Sequence, residues 1–282
     1  MKYIALLLLP FLSSCQKEDS PDIPSEVSAL SIPNQAYGTD PAQKMDIYLP
    51  AGRSNSTKVM ILFHGGAWST GDKADFNEYV DTLKRRLPAY AIFNVNYRLS
   101  TGAVNLFPTQ ENDVKSAFEF IYSKRSEYKI SDKFILLGAS AGGHLALLQG
   151  LKQPSPVKVK AIVDFFGPTE LVDLYNNPAS PLISSALVAQ VIGATPTSNP
   201  TLYQQSSPIN FVDAQSPPTI ILQGGLDPLV SPSQSVALKN KLQTMGVVNQ
   251  YVFYPTESHG WIGANLIDSF DKIQAFLAAN VN

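Results

Sequence analysis

Short β-rich runs recur along the chain with longer helical stretches between them, and this alternation limits the fold more than any other feature. Val59-Met60-Ile61-Leu62-Phe63 is continuously apolar, as a strand buried on both faces requires. Residues 134–137, 161–166, 219–222 and 251–254 read as further strands, residues 91–97 as strand-like, and residues 45–49 as an alternating strand. Helical patterns fill residues 75–87, 111–122, 141–148, 233–245 and 266–278. In the second of these Val114, Ala117, Phe118 and Ile121 share one face. Strand and helix in turn predict an α/β chain, a mostly parallel central sheet with helices on both faces. The 282 residues, 44% hydrophobic, suffice for one large core, and no linker divides them. Residues 167–213 are the least regular, rich in Asn, Pro, Ser and Thr, with a possible helix at 184–192. A connection of that length is expected to carry function or to cover a site.

The N-terminus reads separately. Lys2, an apolar stretch from Ile4 to Leu12, and then Ser13, Ser14 and Cys15 form a signal-peptide pattern too short to span a bilayer. Cys15 is the only cysteine, which rules out an intramolecular disulfide. Leu12-Ser13-Ser14-Cys15 resembles the bacterial lipobox, in which the cysteine is lipidated; a plain secretory signal cut nearby is the alternative. Residues 16–26 are polar and Pro-containing, as a solvated tether would be. The expected division is a lipoprotein-type signal peptide at 1–14, a tether at 15–27 and a catalytic domain at 28–282. The lipobox resemblance implies a membrane anchor at the outer membrane or surface of a Gram-negative bacterium, with a periplasmic location as the alternative. The formal net charge of −2, with no dense basic patch, points away from nucleic acid.

Chemistry concentrates at Gly138-Ala139-Ser140-Ala141-Gly142, between an apolar strand and a helical pattern. Strand, sharp turn and helix make a nucleophile elbow. Its glycines and alanines are small because strand and helix backbones approach closely, and the Ala141 N–H at the helix start favours a developing negative charge. There are three histidines. His144 lies one turn into the helix after Ser140, where it cannot readily reach a serine pointing out of the elbow; it reads as a satisfied, half-buried residue. His64 precedes Ser140 and follows the first buried strand. His259 remains as the general base, in a polar loop after the 251–254 strand, at the edge where α/β sheets place their ligands. An acid between Ser140 and His259 is to be drawn from Asp164, Glu170, Asp173, Asp213, Asp227 and Glu257. Asp227 fits best, since Gln223-Gly224-Gly225-Leu226 carries it just beyond a strand's carboxyl end. Asp164 lies inside an apolar strand, and Glu257 is too near His259 to orient it comfortably.

Taken in order, His64-Gly65-Gly66-Ala67-Trp68, Asn96-Tyr97-Arg98-Leu99, Gly138 to Ala146, Gly224-Gly225-Leu226-Asp227-Pro228 and Ser258-His259-Gly260 resemble the α/β-hydrolases of the carboxylesterase and lipase family. The likeness is strongest to the group related to feruloyl and acetylxylan esterases (BD-FAE-like) and to hormone-sensitive lipase, though no N-terminal helical cap is evident. It implies an α/β-hydrolase fold and a Ser140–His259–Asp227 triad working through an acyl-enzyme. The His-Gly-Gly-x loop implies an oxyanion site at the N–H groups of Gly66 and Ala67, joined by Ala141. The implied substrate is a small acyl ester or an acylated polysaccharide carrying acetyl or feruloyl groups. No cofactor is implied, and three scattered histidines and one cysteine do not make a metal site. Arg98 stands to bind an acidic substrate or to pair with a carboxylate such as Asp113; Trp68 stands to line an acyl pocket or to pack beside the oxyanion loop. A serine peptidase of the prolyl oligopeptidase type shares fold and triad, and a non-catalytic surface binding protein on this scaffold is the rival from another class.

Overall fold

The computed structural model describes Met1, residues 27–152 and residues 157–281. The expected signal peptide after Met1, Cys15 and all of the expected tether except Val27 lie outside the described residues. Within them the strands are β1 (Leu30–Ala36), β2 (Lys44–Leu49), β3 (Val59–Phe63), β4 (Ala91–Val95), β5 (Phe134–Ala139), β6 (Ala161–Phe165), β7 (Thr219–Gly224) and β8 (Asn249–Tyr254). The helices are α1 (Asn77–Arg86), α2 (Thr109–Ser123), α3 (Arg125–Tyr128), α4 (Ala141–Leu151), α5 (Leu171–Asn176), α6 (Ser185–Ile192), α7 (Pro200–Gln205), α8 (Pro232–Thr244) and α9 (Gly263–Asn280). One sheet holds every strand in the order β1-β2-β4-β3-β5-β6-β7-β8. β1 and β2 run antiparallel to their neighbours; from β4 to β8 the pairing is parallel. This is the α/β-hydrolase arrangement that the motif order implied.

The two-residue side-chain period explains the continuous apolar runs. In β3, Val59, Ile61 and Phe63 join one core with Val114 and Phe118 of α2, Leu145 and Leu148 of α4, and Leu238 and Leu242 of α8. Met60 and Leu62 point the other way, to Val80 and Leu83 of α1 and Phe270, Ile273 and Leu277 of α9. Burying both faces leaves no solvated side to alternate towards, so β3 and β5 read as unbroken apolar stretches, while β4 and β6 each bury one polar side chain, Asn94 and Asp164.

Several elements depart from the sequence reading. β1 was not expected: Pro33 demotes its run, Asn34 sits at φ 54°, and the register shifts between Ile32 and Gln35, as at a bulge on an edge strand. The helix expected over 75–87 begins as a 3₁₀ turn at Lys73–Phe76, capped by the Asp72 carboxylate. The strand expected to run to Tyr97 stops at Val95, after which the Asn96 side chain bonds the Lys73 N–H and the Asp72 carboxylate. The irregular 167–213 stretch folds as α5, α6, α7 and short 3₁₀ turns. Side chains of Glu170, Ser184 and Asn199 cap the three helices at their N-termini.

Register gathers the functional loops. Phe63 pairs with Gly138, Ala139 with Phe165, and Gly224 with Tyr254. The chain therefore leaves β3, β5, β6, β7 and β8 along one edge, carrying His64, Ser140, Phe166, Asp227 and His259 out on the same side.

Candidate active site

Ser140 occupies the turn between β5 and α4 at φ 55°, ψ −123°, a backbone state that non-glycine residues seldom adopt. Its N–H donates to the Phe165 carbonyl at 2.8 Å, which ties the elbow to β6. A Cβ on Gly138 would collide with the Gly142 backbone, and one on Gly142 with the Phe63 and His64 carbonyls. These two positions must be bare for β5, α4 and the loop after β3 to meet.

That loop is also strained. Gly66, Ala67 and Trp68 have φ of 111°, 48° and 59°. The Gly66 carbonyl accepts from the Ser69 and Thr70 N–H groups and from the Thr70 hydroxyl. The Tyr97 hydroxyl donates to the His64 carbonyl at 2.8 Å, and its ring stacks on the His64 ring at 4.4 Å. Burial holds the His64 pKa down, and its Nδ1 bonds the Gly65 carbonyl at 2.7 Å. His64 thus braces the loop. Among the described residues, the N–H groups of Gly66, Ala67 and Ala141 donate to no protein acceptor, so all three stand available to an oxygen at the site.

Asp227 and His259 meet beyond β7 and β8. His259 Nδ1 lies 2.8 Å from Asp227 Oδ2, and the Asp227 side chain is fully buried. Asp227 Oδ1 accepts from the Leu229 and Val230 N–H groups at 2.8 and 2.9 Å, and Oδ2 also accepts from Gln223 Nε2 at 3.1 Å. An ionised carboxylate can only accept, so Nδ1 of neutral His259 carries the proton and Nε2 keeps its lone pair. Gly224 and Gly225 lie where a Cβ would strike the carbonyls of Ser258 and Pro255, so the two loops touch backbone to backbone. The Phe166 ring leans on the imidazole at 4.4 Å.

Ser140 and His259 line one open cleft of about 640 Å³, together with Gly66, Ala67, Thr70 and Asp75. A second, smaller space adjoins Ser140 on the side of Trp68 and Leu174. The structure thus brings Ser140, His259, Asp227 and the Gly66, Ala67 and Ala141 backbone to one edge of the sheet.

The remaining candidates are placed elsewhere. His144 is fully buried rather than half-buried, accepting from Trp68 Nε1 at 3.2 Å and bonding the Ser206 carbonyl at 2.7 Å; burial pushes its pKa down to about 4. Arg98 pairs with Asp113, Nη2 to Oδ1 at 2.6 Å and Nε to Oδ2 at 2.9 Å, while Gln43 bonds the same carboxylate. Asp164 is buried in β6 with only the Gly167 N–H as donor, and burial pushes its pKa up to about 8. Glu170 caps α5, Asp173 accepts from Gln234, Asp213 turns a loop, and Glu257 bonds Asn265. The sequence reading gave no role at the site to Gln223, Phe166, Leu182, Ile183 or Leu229. None lies in a motif, and the last three come from loops whose path periodicity does not report. Among the described residues no group of three or more His, Cys, Asp or Glu is placed to hold a metal ion. No helix among them is long and apolar enough to cross a membrane.

Comparison with known proteins agrees with this fold. The chain is 25% identical over 239 residues to esterase LipC of Mycobacterium tuberculosis (strain ATCC 25618 / H37Rv), covering 80% of this chain and 58% of LipC. It is 26% identical over 264 residues to dipeptidyl aminopeptidase BIII of Pseudoxanthomonas mexicana, covering 89% of this chain and 36% of that protein. The chain thus spans less than two thirds of the length of either relative. A solved truncated form of a carbohydrate esterase from gut microbiota superposes with a TM-score of 0.76 at 26% identity, covering 90% of this chain and 97% of that one. Residues 45–242, which include the loop after β3, Ser140 and Asp227, match the BD-FAE family model, and the chain belongs to the BD-FAE family.

Proposed function

We propose that the chain is a carboxylic ester hydrolase that works through an acyl-enzyme, with Ser140 as nucleophile, His259 as base and Asp227 as its orienting acid. The observation that carries this reading is the half-buried Asp227–His259 hydrogen bond, with His259 lining the same cleft as Ser140. Serine is a weak nucleophile at its own pKa, so His259 Nε2 takes the Oγ proton as Oγ attacks the ester carbonyl carbon. Asp227 fixes the tautomer and steadies the imidazolium. The carbonyl oxygen, now negative, receives the N–H groups of Gly66, Ala67 and Ala141; one such donor is worth about 10²–10³ in rate. The imidazolium returns its proton to the departing alcohol. Water then attacks the acyl-enzyme by the same route and releases the acid.

An acylated polysaccharide is the proposed natural substrate, supported by the open cleft and by the likeness to a carbohydrate esterase. A lipid on Cys15 is the proposed anchor, resting on Leu12-Ser13-Ser14-Cys15. The likeness to dipeptidyl aminopeptidase BIII supports a second reading, a serine peptidase, which the same residues would serve. Ser140→Ala should abolish turnover of p-nitrophenyl acetate and labelling by a fluorophosphonate while leaving the melting temperature within a few degrees. Undiminished turnover in that variant would remove Ser140 as nucleophile. Faster cleavage of a peptide anilide than of any ester would favour the peptidase.

A further inference from the structure

We propose that Asp75 selects the alcohol half of the substrate by charge, favouring an alcohol that carries a positive group and disfavouring one that carries a carboxylate; this rests on the ester-hydrolase reading above. The mechanism places that half. His259 must deliver a proton to the departing oxygen, and it lines the larger cleft but not the smaller space beside Ser140. The alcohol therefore leaves through the larger cleft. Asp75 lines the same cleft and is absent from the smaller space. Apart from His259, which is neutral when it acts as base, Asp75 is the only charged side chain among the described residues that line it, and no lysine or arginine is there to offset it.

Local structure holds this carboxylate in place. The Asp75 N–H donates to the Asp72 carbonyl at 2.9 Å, and the Asp72 N–H donates back to Asp75 Oδ2 at 2.9 Å. The reciprocal cap anchors the backbone and one carboxylate oxygen together. Among the described residues no donor bonds the other oxygen, Oδ1. The nearest cation in sequence is engaged elsewhere, with Lys73 Nζ 2.8 Å from the Asp46 carboxylate. Phe166, Leu182, Ile183 and Leu229 add apolar side chains to the cleft and no opposing charge. A positive group about 7 Å from such a carboxylate gains about threefold in binding at the dielectric of water, and about fiftyfold at an effective dielectric of about 20. The cleft is open to water, so the lower figure sets the expected effect. Among acylated polysaccharides, the charge favours chains esterified on neutral or amino sugars over chains esterified on uronates.

Acetylcholine and 3,3-dimethylbutyl acetate test this, because they share a shape and differ by one positive charge; 4-acetoxybutanoate supplies a negative one. Asp75→Asn keeps an oxygen for the Asp72 N–H. It should lower the ratio of kcat/KM for acetylcholine to that for 3,3-dimethylbutyl acetate by about threefold or more at low ionic strength, and raise 4-acetoxybutanoate relative to the neutral ester by a similar factor. Glu119→Gln removes the same charge from an exposed position on α2 and should move neither ratio. High salt should lower the wild-type acetylcholine ratio in the same direction as Asp75→Asn. Ratios unmoved by Asp75→Asn, ratios moved equally by Glu119→Gln, or a wild-type ratio indifferent to salt overturn the charge selection and leave the ester-hydrolase reading standing. Failure to cleave any of these esters or p-nitrophenyl acetate, with no fluorophosphonate labelling of Ser140, overturns the ester-hydrolase reading and this inference with it.

Discussion

Asp227→Asn alters one atom, and the surrounding hydrogen bonds dictate its effect. The Leu229 and Val230 N–H groups, at 2.8 and 2.9 Å, require an oxygen at the Oδ1 position. If the new amide turned its oxygen to His259 instead, two donors would face an NH₂ group, at about 1–3 kcal/mol for each bond lost. The oxygen therefore stays on the backbone and the NH₂ faces His259 Nδ1. That nitrogen must then accept, so its proton moves to Nε2, the atom required to receive the Ser140 proton. Holding the wrong tautomer costs about 10⁴ in kcat, or roughly 5 kcal/mol of barrier. Folding should suffer far less. The new NH₂ meets Gln223 Nε2, which keeps its bonds to the Gly224 and Val230 carbonyls while its Oε1 still accepts from Ser235. A loss of about 1–2 kcal/mol is expected from that one mismatched contact. The assay is kcat for p-nitrophenyl acetate at pH 8 beside a thermal melt. A kcat within tenfold of wild type, in a protein that melts normally, would refute the orienting role of Asp227.

Two further predictions concern a buried acid and the N-terminus. Asp164, pushed up to about 8 from an ordinary 3.8, keeps its proton in the folded state when the unfolded chain has lost it, so it makes stability fall as pH rises from about 4 to 8. His144, pushed down to about 4 from 6.5, acts oppositely: the unfolded chain binds the extra proton between these values, so stability rises with pH until 6.5. The two offset each other between pH 4 and 6.5, and Asp164 alone lowers stability by roughly 2 kcal/mol from pH 6.5 to 8. Urea unfolding of Asp164→Asn should show that alkaline decline gone and an acid-side decline uncovered; a slope identical to wild type from pH 6.5 to 8 would show Asp164 to be ionised when folded. Cys15→Ser should move the expressed protein from the membrane to the soluble fraction, and unchanged fractionation would exclude a lipid on Cys15.

The sheet was legible because burial on both faces leaves a one-dimensional trace: the run Val59–Phe63 has the strand's bounds to the residue. The elbow was legible because Gly138 and Gly142 are demanded by backbone-to-backbone contact, which leaves no choice of residue. Strand β1 escaped because its pattern is mostly exposed and its stability comes from pairing with β2 across a bulge. In the 167–213 crossover, α5 and α7 have six residues each, too few to show a 3.6-residue period. Their positions come from caps and from long-range packing. The residues lining the cleft inherit that difficulty: Ile183 and Leu229 reach Ser140 only because the crossover and the loop after β7 fold over it.

His144 shows how such a crossover is fastened to the site. Indole Nε1 can only donate, so His144 Nδ1 accepts from Trp68 and Nε2–H donates to the Ser206 carbonyl. The neutral ring therefore joins three separate pieces: α4 behind the nucleophile, the strained loop at Ala67 and Trp68, and the segment after α7. Its low pKa keeps it in that state through neutral pH, whereas protonation would turn Nδ1 into a donor facing a donor. Elimination from sequence reads His144 as too deep to take a proton from Ser140, and the same depth gives it a different use. It fixes Trp68, which follows Ala67, whose N–H is proposed to meet the oxyanion, and which lines the smaller space beside Ser140. The proposed stabilisation of the developing charge is thereby fastened to the same ring, so a change that loosens Trp68 should weaken it.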